Sequence, residues 1–502
     1  MMLNNSLLSI QKKLVQKTQR KGCRIMLFTR TQKALLLLFI FLLYIVIGVV
    51  VPLFRTPVLS KQTQNQLAEA SSFYSDEPGI DRAMLLESNE SAWEERIRLL
   101  NQADEQIILT TFDMRESNST LDLVSILQQK AQRGVSVKIL LDGLNGWFHA
   151  EQSSLFRALA TEPNVEIKLY NPIKVLRPWM NLYRLHDKFV IVDDVGYIIG
   201  GRNTHDYFIG SYDTDSRSLD REVLVYNSVH DTTDSGQSSV HNLQAYFDHM
   251  WNSDYCRYYG EKDAPSDNQE QRLRELTQHY MNLVRQNPDL FQDLDFMSRT
   301  VPTNQITLLY NNLDPVEKEP VIFQQLVEIM KQAQEQVTFF SPYAVCNDYM
   351  LQQLRQVSAQ VPDCHLVVNS VENGDNFIAS SDYLRHKEDI LSSGFSVYEY
   401  DGGTSTHGKS LAIDDRLSII GSYNLDLRST YLSTETMLVI DSPELTAQLK
   451  HNFHLMEQQS RQLIGEEEYI VPDGLETNSV SPLKRWAWWW TGLFLQPFRL
   501  SI

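Results

Sequence analysis

Two stretches of this chain carry the same reactive residues at the same spacing. LHDKFVIVDDVGYIIGGRN holds His186, Lys188, Asp193 and Asn203, and THGKSLAIDDRLSIIGSYN holds His407, Lys409, Asp414 and Asn424. In both, a lysine follows the histidine by two positions, an aspartate by seven and an asparagine by seventeen. Two imidazoles with separated protonation states suit transfer of a phosphodiester. One neutral ring attacks phosphorus and forms a phospho-histidine. The other, protonated, gives its proton to the leaving oxygen. The lysines and asparagines hold the equatorial oxygens as negative charge develops. The scheme calls for no metal and no cofactor.

Strand periodicity sorts the roles. His186 and Lys188 are two apart and share a face, as do His407 and Lys409. Asp193 and Asp414 lie an odd number of residues from their histidines. They are expected as turn-formers or internal salt-bridge partners, not catalysts. Asn203 and Asn424 close the following strand, where Gly200, Gly201 and Gly421 permit close backbone approach. A carboxylate on the far ring nitrogen would fix the tautomer and stabilise the imidazolium. Glu435, eleven residues after Asn424, is the stronger candidate. Asp220 is its counterpart in the first copy, with Glu222 near enough to replace it. His205 lines the site or its rim. A lone H-x-K is usually structural; two copies with the same trailing asparagine argue against coincidence.

These motifs need a scaffold that brings two distant segments together, and the chain shows an internal repeat. RIRLLNQADEQIILTTFD (residues 96–113) resembles LVEIMKQAQEQVTFFSPY (residues 326–343). Each reads as an amphipathic helix, a short turn and an apolar strand, then a second helix and another apolar strand. Alternating helices and strands imply α/β lobes with covered sheets. A charged helical stretch (258–300) lies between the halves.

Residues 34–51, ALLLLFIFLLYIVIGVVV, contain no charge. At about 1.5 Å per residue the run covers ~27 Å, nearly a hydrocarbon core. The apolar run and the basic segment before it are both too long for a typical cleaved signal, so an uncleaved anchor is expected. Eight basic residues and no acid precede residue 34, which places the N-terminus in the cytoplasm and the body outside it. Removing those eight charges from the net −18 leaves −26 for residues 34–502. So acidic a body disfavours a nucleic-acid partner. The C-terminus, KRWAWWWTGLFLQPFRLSI, mixes tryptophan with basic residues. That suits either a membrane interface or a segment packed on the body. Four cysteines, none in C-x-x-C and three of them in the body, give neither a zinc site nor a disulfide framework. A Cys346–Cys364 bridge is one alternative to the free thiols expected.

At its motifs the chain resembles the phospholipase D superfamily, and within it the bacterial cardiolipin synthases. Gly200-Gly201-Arg202-Asn203 followed by Asp206-Tyr207-Phe208 is similar to the run after that family's first motif. Tyr423-Asn424-Leu425-Asp426-Leu427-Arg428-Ser429 with Glu435 is similar to the run after its second, and FDHMWNS (residues 247–253) to a stretch between them. The likeness covers roughly residues 85–460 and leaves the charged linker and the Trp-rich tail unexplained. One span is seen here, where cardiolipin synthases often have two. The resemblance implies two pseudo-symmetric α/β sandwich lobes sharing one central site, beside the N-terminal transmembrane helix. It also implies His186 as nucleophile and His407 as general acid and base. The expected organisation is a basic cytoplasmic segment (1–33), the transmembrane helix (34–54), a tether (55–80), a first lobe (81–257), the helical linker (258–300), a second lobe (301–465) and the aromatic-basic tail (466–502). The anchor, the tail and the apolar-basic stretch YNPIKVLRPWMNLYRLH favour a phospholipid over nucleic acid. The expected reaction is phosphatidyl transfer, cardiolipin from phosphatidylglycerol. The alternatives are a phospholipase D acting with water, or a membrane-anchored phosphodiesterase or nuclease of the same superfamily.

Overall fold

The computed structural model describes residues 30–68, 72–260, 264–313, 318–465 and 467–502. Most of the basic segment, and Cys23, lie outside them. The chain divides into an apolar helix and a body beginning at Val49. The helix runs Arg30–Val50 and continues as a short 3-10 turn, Val51–Phe54. This is one helix long and apolar enough to cross a membrane.

The body is α/β, built on two nine-stranded mixed sheets. The first runs, in spatial order, Cys256–Tyr258, Val165–Tyr170, Ser136–Asp142, Gln106–Thr111, Phe189–Val192, Gly196–Gly200, Glu222–Asn227, Asp81–Leu86 and Val301–Pro302. The second runs Gln305–Tyr310, Thr436–Asp441, Leu417–Gly421, Ser410–Ile413, Gln336–Phe340, Asp363–Asn369, Ser396–Tyr400, Ser460–Leu463 and Tyr469–Ile470. In each sheet three strands joined through helices are parallel, and the motif hairpin pairs antiparallel with the first of them. Helical crossovers cover the parallel strands, so these strands read as nearly continuous apolar runs. One core joins the halves: Ile199 and Val223 of the first sheet cluster with Ile420, Leu438 and Ile440 of the second.

Segments expected as connections are packed. The linker helix Asp267–Gln286 starts at a capping box formed by Ser266 and Gln269. It buries Leu276 and Leu283 in the first half's core. The end of the stretch expected as a tether is pinned to the second half, where Phe73 enters the core and the Ser75 N–H donates to Asp441 at 2.8 Å. The tail adds Tyr469–Ile470 to the sheet edge and then forms a helix, Pro482–Leu495, against helix Phe377–Leu391. Gly492 is required there, since a Cβ would lie 2.4 Å from the Ser381 carbonyl oxygen. Trp488 is buried against Phe377, Arg499 pairs with Asp382 at 2.8 Å, and Leu500 and Ile502 join the core. The opposite face carries exposed Leu483, Trp486, Trp490 and Phe494. Of the two uses expected of the tail, the structure shows the packing on the body. Cys256, Cys346 and Cys364 are free thiols.

Candidate active site

The motif residues meet through two small ribbons that link the halves. Arg184–Leu185 pairs in parallel with Ser433–Thr434, and Ser218–Leu219 with Ser405–Thr406. The residue after each ribbon is a histidine on one strand and a carboxylate on the other: His186 beside Glu435, and His407 beside Asp220. The registers thus cross the pairs. The first half's histidine meets the second half's carboxylate, and the reverse. His186 Nδ1 lies 2.9 Å from Glu435 Oε1, and His407 Nδ1 lies 2.7 Å from Asp220 Oδ2. Nδ1–H donation to a buried carboxylate leaves Nε2 as the reactive nitrogen.

Glu222, the alternative to Asp220, is turned elsewhere. It is held by Arg96 and by Arg202, whose Nε is 3.1 Å away. Gly201 makes room for Asp220, because a Cβ there would lie 2.4 Å from its carboxylate. The equivalent position in the second half is Ser422, whose hydroxyl donates to Glu435 at 2.5 Å. Sequence reasoning missed Ser422 and the crossing. The Gly201/Ser422 difference at matched positions was the available signal.

The strand expected at each histidine is broken. Residues 186–188 and 407–409 lie between the ribbons and the hairpin strands. In that break Lys188 Nζ donates to the His186 carbonyl at 2.5 Å, and Lys409 donates to the His407 carbonyl. Lys409 Nζ also lies 2.7 Å from His407 Nδ1. Asn203 and Asn424 are buried, each with an Oδ1 that has no hydrogen-bond partner. Asp193 and Asp414 sit at the hairpin turns with φ of 45° and 49°. Asp193 accepts backbone N–H bonds from Asp104, Glu105 and Gln106, and Asp414 from Gln334, Glu335 and Gln336. Each therefore staples its turn to the start of the neighbouring strand. His205 is buried beside Phe208, which packs against His407.

Burial and charge separate the two histidines. Burial, then Lys188 and Lys409, hold His186 well below the usual histidine range. Burial and Lys409 also lower His407, but Asp220 opposes them. Burial raises Asp220, yet Lys409 and His407 outweigh it and hold the carboxyl low. Burial pushes Glu435 up to about 7, and brings Lys188 down to about 7 and Lys409 to about 8. His186 thus stands beside a carboxyl that is easily protonated, and His407 beside a firm anion. The arrangement provides one imidazole favoured as a neutral base and one better able to hold a proton.

The family model described as "Cardiolipin synthase, PLD-like domain" matches residues 97–251 and 326–456, more than half of the chain and both motifs. The chain belongs to this family. Cardiolipin synthase C of Escherichia coli is 25% identical over 423 residues, covering 76% of this chain and 85% of that protein. A cardiolipin synthase of Clostridium perfringens is 23% identical over 387 residues, covering 76% and 71%. An uncharacterized protein of Helicobacter pylori is 23% identical over 444 residues, covering 80% and 84%. In fold, the chain is similar to a phosphatidylserine synthase of Haemophilus influenzae, with a TM-score of 0.59, 15% identity, and coverage of 88% of this chain and 99% of the other. The protein is a phospholipase D-type enzyme of a phospholipid-acting family, carrying an N-terminal apolar helix that is a candidate membrane span.

Proposed function

We propose that the protein transfers phosphatidyl groups and makes cardiolipin from phosphatidylglycerol through a phospho-histidine. His186 Nε2 attacks the phosphorus of one phosphatidylglycerol. The bond from phosphorus to the glycerol headgroup oxygen breaks, and that oxygen takes the proton from His407 Nε2. A hydroxyl of a second phosphatidylglycerol then returns a proton to His407 and attacks phosphorus. The P–N bond breaks, which restores neutral His186 and releases cardiolipin with one glycerol per cycle. Lys188, Lys409, Asn203 and Asn424 hold the phosphoryl oxygens, and Glu435 and Asp220 orient the rings.

The crossed histidine–carboxylate pairs carry this reading, since they give one site two imidazoles of different basicity. A lipid substrate is supported by the apolar helix and by exposed Ile173, Val175, Leu176 and Trp179 ahead of the first motif, Leu176 at 76% exposure. The names of the Escherichia coli and Clostridium relatives point the same way. The aromatic face of the C-terminal helix suits a bilayer interface, where tryptophan rings lie at headgroup level. Single-pass anchoring with a cytoplasmic N-terminus and an extracytoplasmic body follows from the eight basic residues ahead of the span.

The test is purified full-length protein with labelled phosphatidylglycerol in mixed micelles, with and without EDTA. A two-phosphate lipid plus free glycerol, formed in both conditions, is expected. Absence of lipid turnover together with cleavage of single-stranded DNA would overturn the reading.

A further inference from the structure

The two halves match at the catalytic pairs but differ immediately beside them. In the first half, Asp113 follows Phe112, whose ring centroid is 5.2 Å from that of His186. His205 follows Asn203 by two, and its ring packs on Phe208, which is 5.1 Å from His407. The Thr204 N–H donates to the Asp113 carbonyl at 2.9 Å, which ties these two loops together next to both histidines.

Their side chains are left incomplete. Arg115 takes Asp113 Oδ2, with Nε at 2.9 Å. Asp113 Oδ1 and His205 Nε2 are both buried without a hydrogen-bond partner. His205 Nε2 lies 3.8 Å from Asp113 Oδ2, and His149 Nε2 lies 3.8 Å from Asp113 Oδ1. Both gaps are too long for a direct hydrogen bond. An oxygen set to one side of the line joining either pair, however, reaches both atoms at about 2.8 Å. A hydroxyl suits such a gap because it donates to a carboxylate and accepts from an imidazole N–H. Two gaps flanking one carboxylate match the two adjacent hydroxyls of a vicinal diol. Burial holds His205 down to about 4, so at neutral pH its ring is neutral and keeps one donor and one acceptor. His149 is the more exposed of the two imidazoles.

Among the described residues, the matching positions of the second half form no such niche. Isolated bridges pair Met114 with Thr204 and Ala344 with Leu425, which makes Tyr343 and Asp426 the counterparts of Asp113 and His205. Asp426 accepts the Ser429 N–H at 2.6 Å and caps helix Leu427–Tyr431.

We propose that Asp113, His149 and His205 form a vicinal-diol subsite that seats a polyol acceptor, such as a glycerol headgroup, on the first-half side of the shared site. This assignment rests on the phosphatidyl-transfer reading above. Because the niche is one-sided, it distinguishes the acceptor from water and from simple alcohols.

The test uses full-length protein in mixed micelles with one labelled phospholipid donor and a choice of acceptors: glycerol, 1,2-propanediol, 1,3-propanediol or 1-propanol. The wild-type protein should prefer the vicinal diols. Asp113→Asn and His205→Gln, two conservative variants, should each cut transfer to vicinal diols by roughly tenfold or more relative to 1-propanol. Equal losses for vicinal diols and 1-propanol would overturn the subsite. A second readout needs no turnover: saturation-transfer NMR should show 1,2-propanediol contacting the wild-type protein more than Asp113→Asn, and equal signals would also overturn it. Wild-type protein that binds the diol but consumes no phospholipid would instead count against the phosphatidyl-transfer reading alone.

Discussion

The first and second halves share all but an edge strand of their sheet order, the hairpin, the staple and the His-Lys-Asn trio, yet they treat their carboxylates differently. Asp220 is short, is admitted by a glycine and is held as an anion by Lys409 and His407. Glu435 is longer, is held by Ser422 and is pushed toward the protonated form by burial. Each belongs to the other half's histidine. A duplicated fold therefore builds each pair from one half's histidine and the other half's carboxylate, and in the proposed mechanism small side-chain differences set the two rings to two tasks. Symmetry supplies the placement of the groups, and on the proposed mechanism its local breaking supplies the direction of the chemistry.

The most severe way to break this comparison is to remove the rings. His186→Ala should abolish donor consumption, with a loss of at least ~10³-fold in kcat/KM. His407→Ala should fall as far with a natural lipid, but recover substantially with a donor whose leaving group is a nitrophenol and needs no proton. Single-turnover assays with both donors check this, and equal rescue of the two variants would remove the assigned asymmetry. Next come the crossed carboxylates. Glu435→Gln and Asp220→Asn should each cost about 10²-fold or more, since an amide can hold the wrong tautomer. The crossing itself is tested by pairing variants. Glu435→Gln added to His186→Ala should cost little more, whereas added to His407→Ala it should cost more. The opposite pattern would uncross the pairs.

A milder perturbation is pH. Lys188 near 7 and Lys409 near 8 are charged below those values and neutral above them. If, as proposed, their charge stabilises the phosphoryl oxygens, kcat/KM falls as pH rises through 7 to 8. Glu435 raises Lys188 and Asp220 raises Lys409. Removing either carboxylate charge should therefore move the falling limb to lower pH, as a pH–rate profile of each variant would show. The staples, in contrast, should behave identically in both halves. Asp193→Ala and Asp414→Ala each remove the acceptor for three backbone N–H groups and place alanine at positive φ. Each should cost about 2–4 kcal/mol of stability by denaturant unfolding, with residual activity in whatever remains folded.

Much of this was legible in the chain. Equal motif spacing, the Asp-Asp turns and the repeated helix–strand pattern are local signals, and the structure builds two matching sheets from them. Asp193 and Asp414 lie in the hairpin turns, but the alternation used to sort them does not reach back to the histidines, because residues 186–188 and 407–409 fall outside the strands. What could not be read is set by contacts distant in sequence. The crossing depends on two-residue ribbons, Leu185 with Thr434 and Leu219 with Thr406, whose composition carries no pairing signal. The choice of Asp220 over Glu222 depends on Arg96 and Arg202 claiming the latter. The polar linker became a packed helix because two leucines, Leu276 and Leu283, one heptad apart, are enough to seat one face.

The smallest expected effect concerns the helices that close the two halves. The first, Asp267–Gln286, turns Glu270, Arg274, Gln278 and Arg285 to solvent. The second, Pro482–Leu495, exposes Trp486 at 61% and Phe494 at 69%, with Trp490 stacked on Phe494 between them. Residues 483, 486, 490 and 494 recur at helical spacing, so they form one stripe opposite buried Trp488 and Gly492. The 3-10 turn after this helix packs against Val51–Phe54, the segment that continues the apolar anchor. Residues 479–502 also carry Lys484, Arg485 and Arg499 with no acid, within an acidic chain. A stripe of this kind suits an anionic bilayer surface, whereas the polar stripe of the first helix suits water. Trp486, Trp490 and Phe494 changed together to serine should leave unfolding unaltered, since their apolar faces are already exposed. The same change should lower turnover in phosphatidylglycerol bilayers by roughly three- to tenfold, about 1 kcal/mol of lost interfacial burial, and leave turnover in mixed micelles unchanged. Glu270, Arg274 and Gln278 changed to serine should alter neither assay. If both triple variants behave alike in bilayers, the two closing helices do not differ in function, and the stripe serves only to cover the second half.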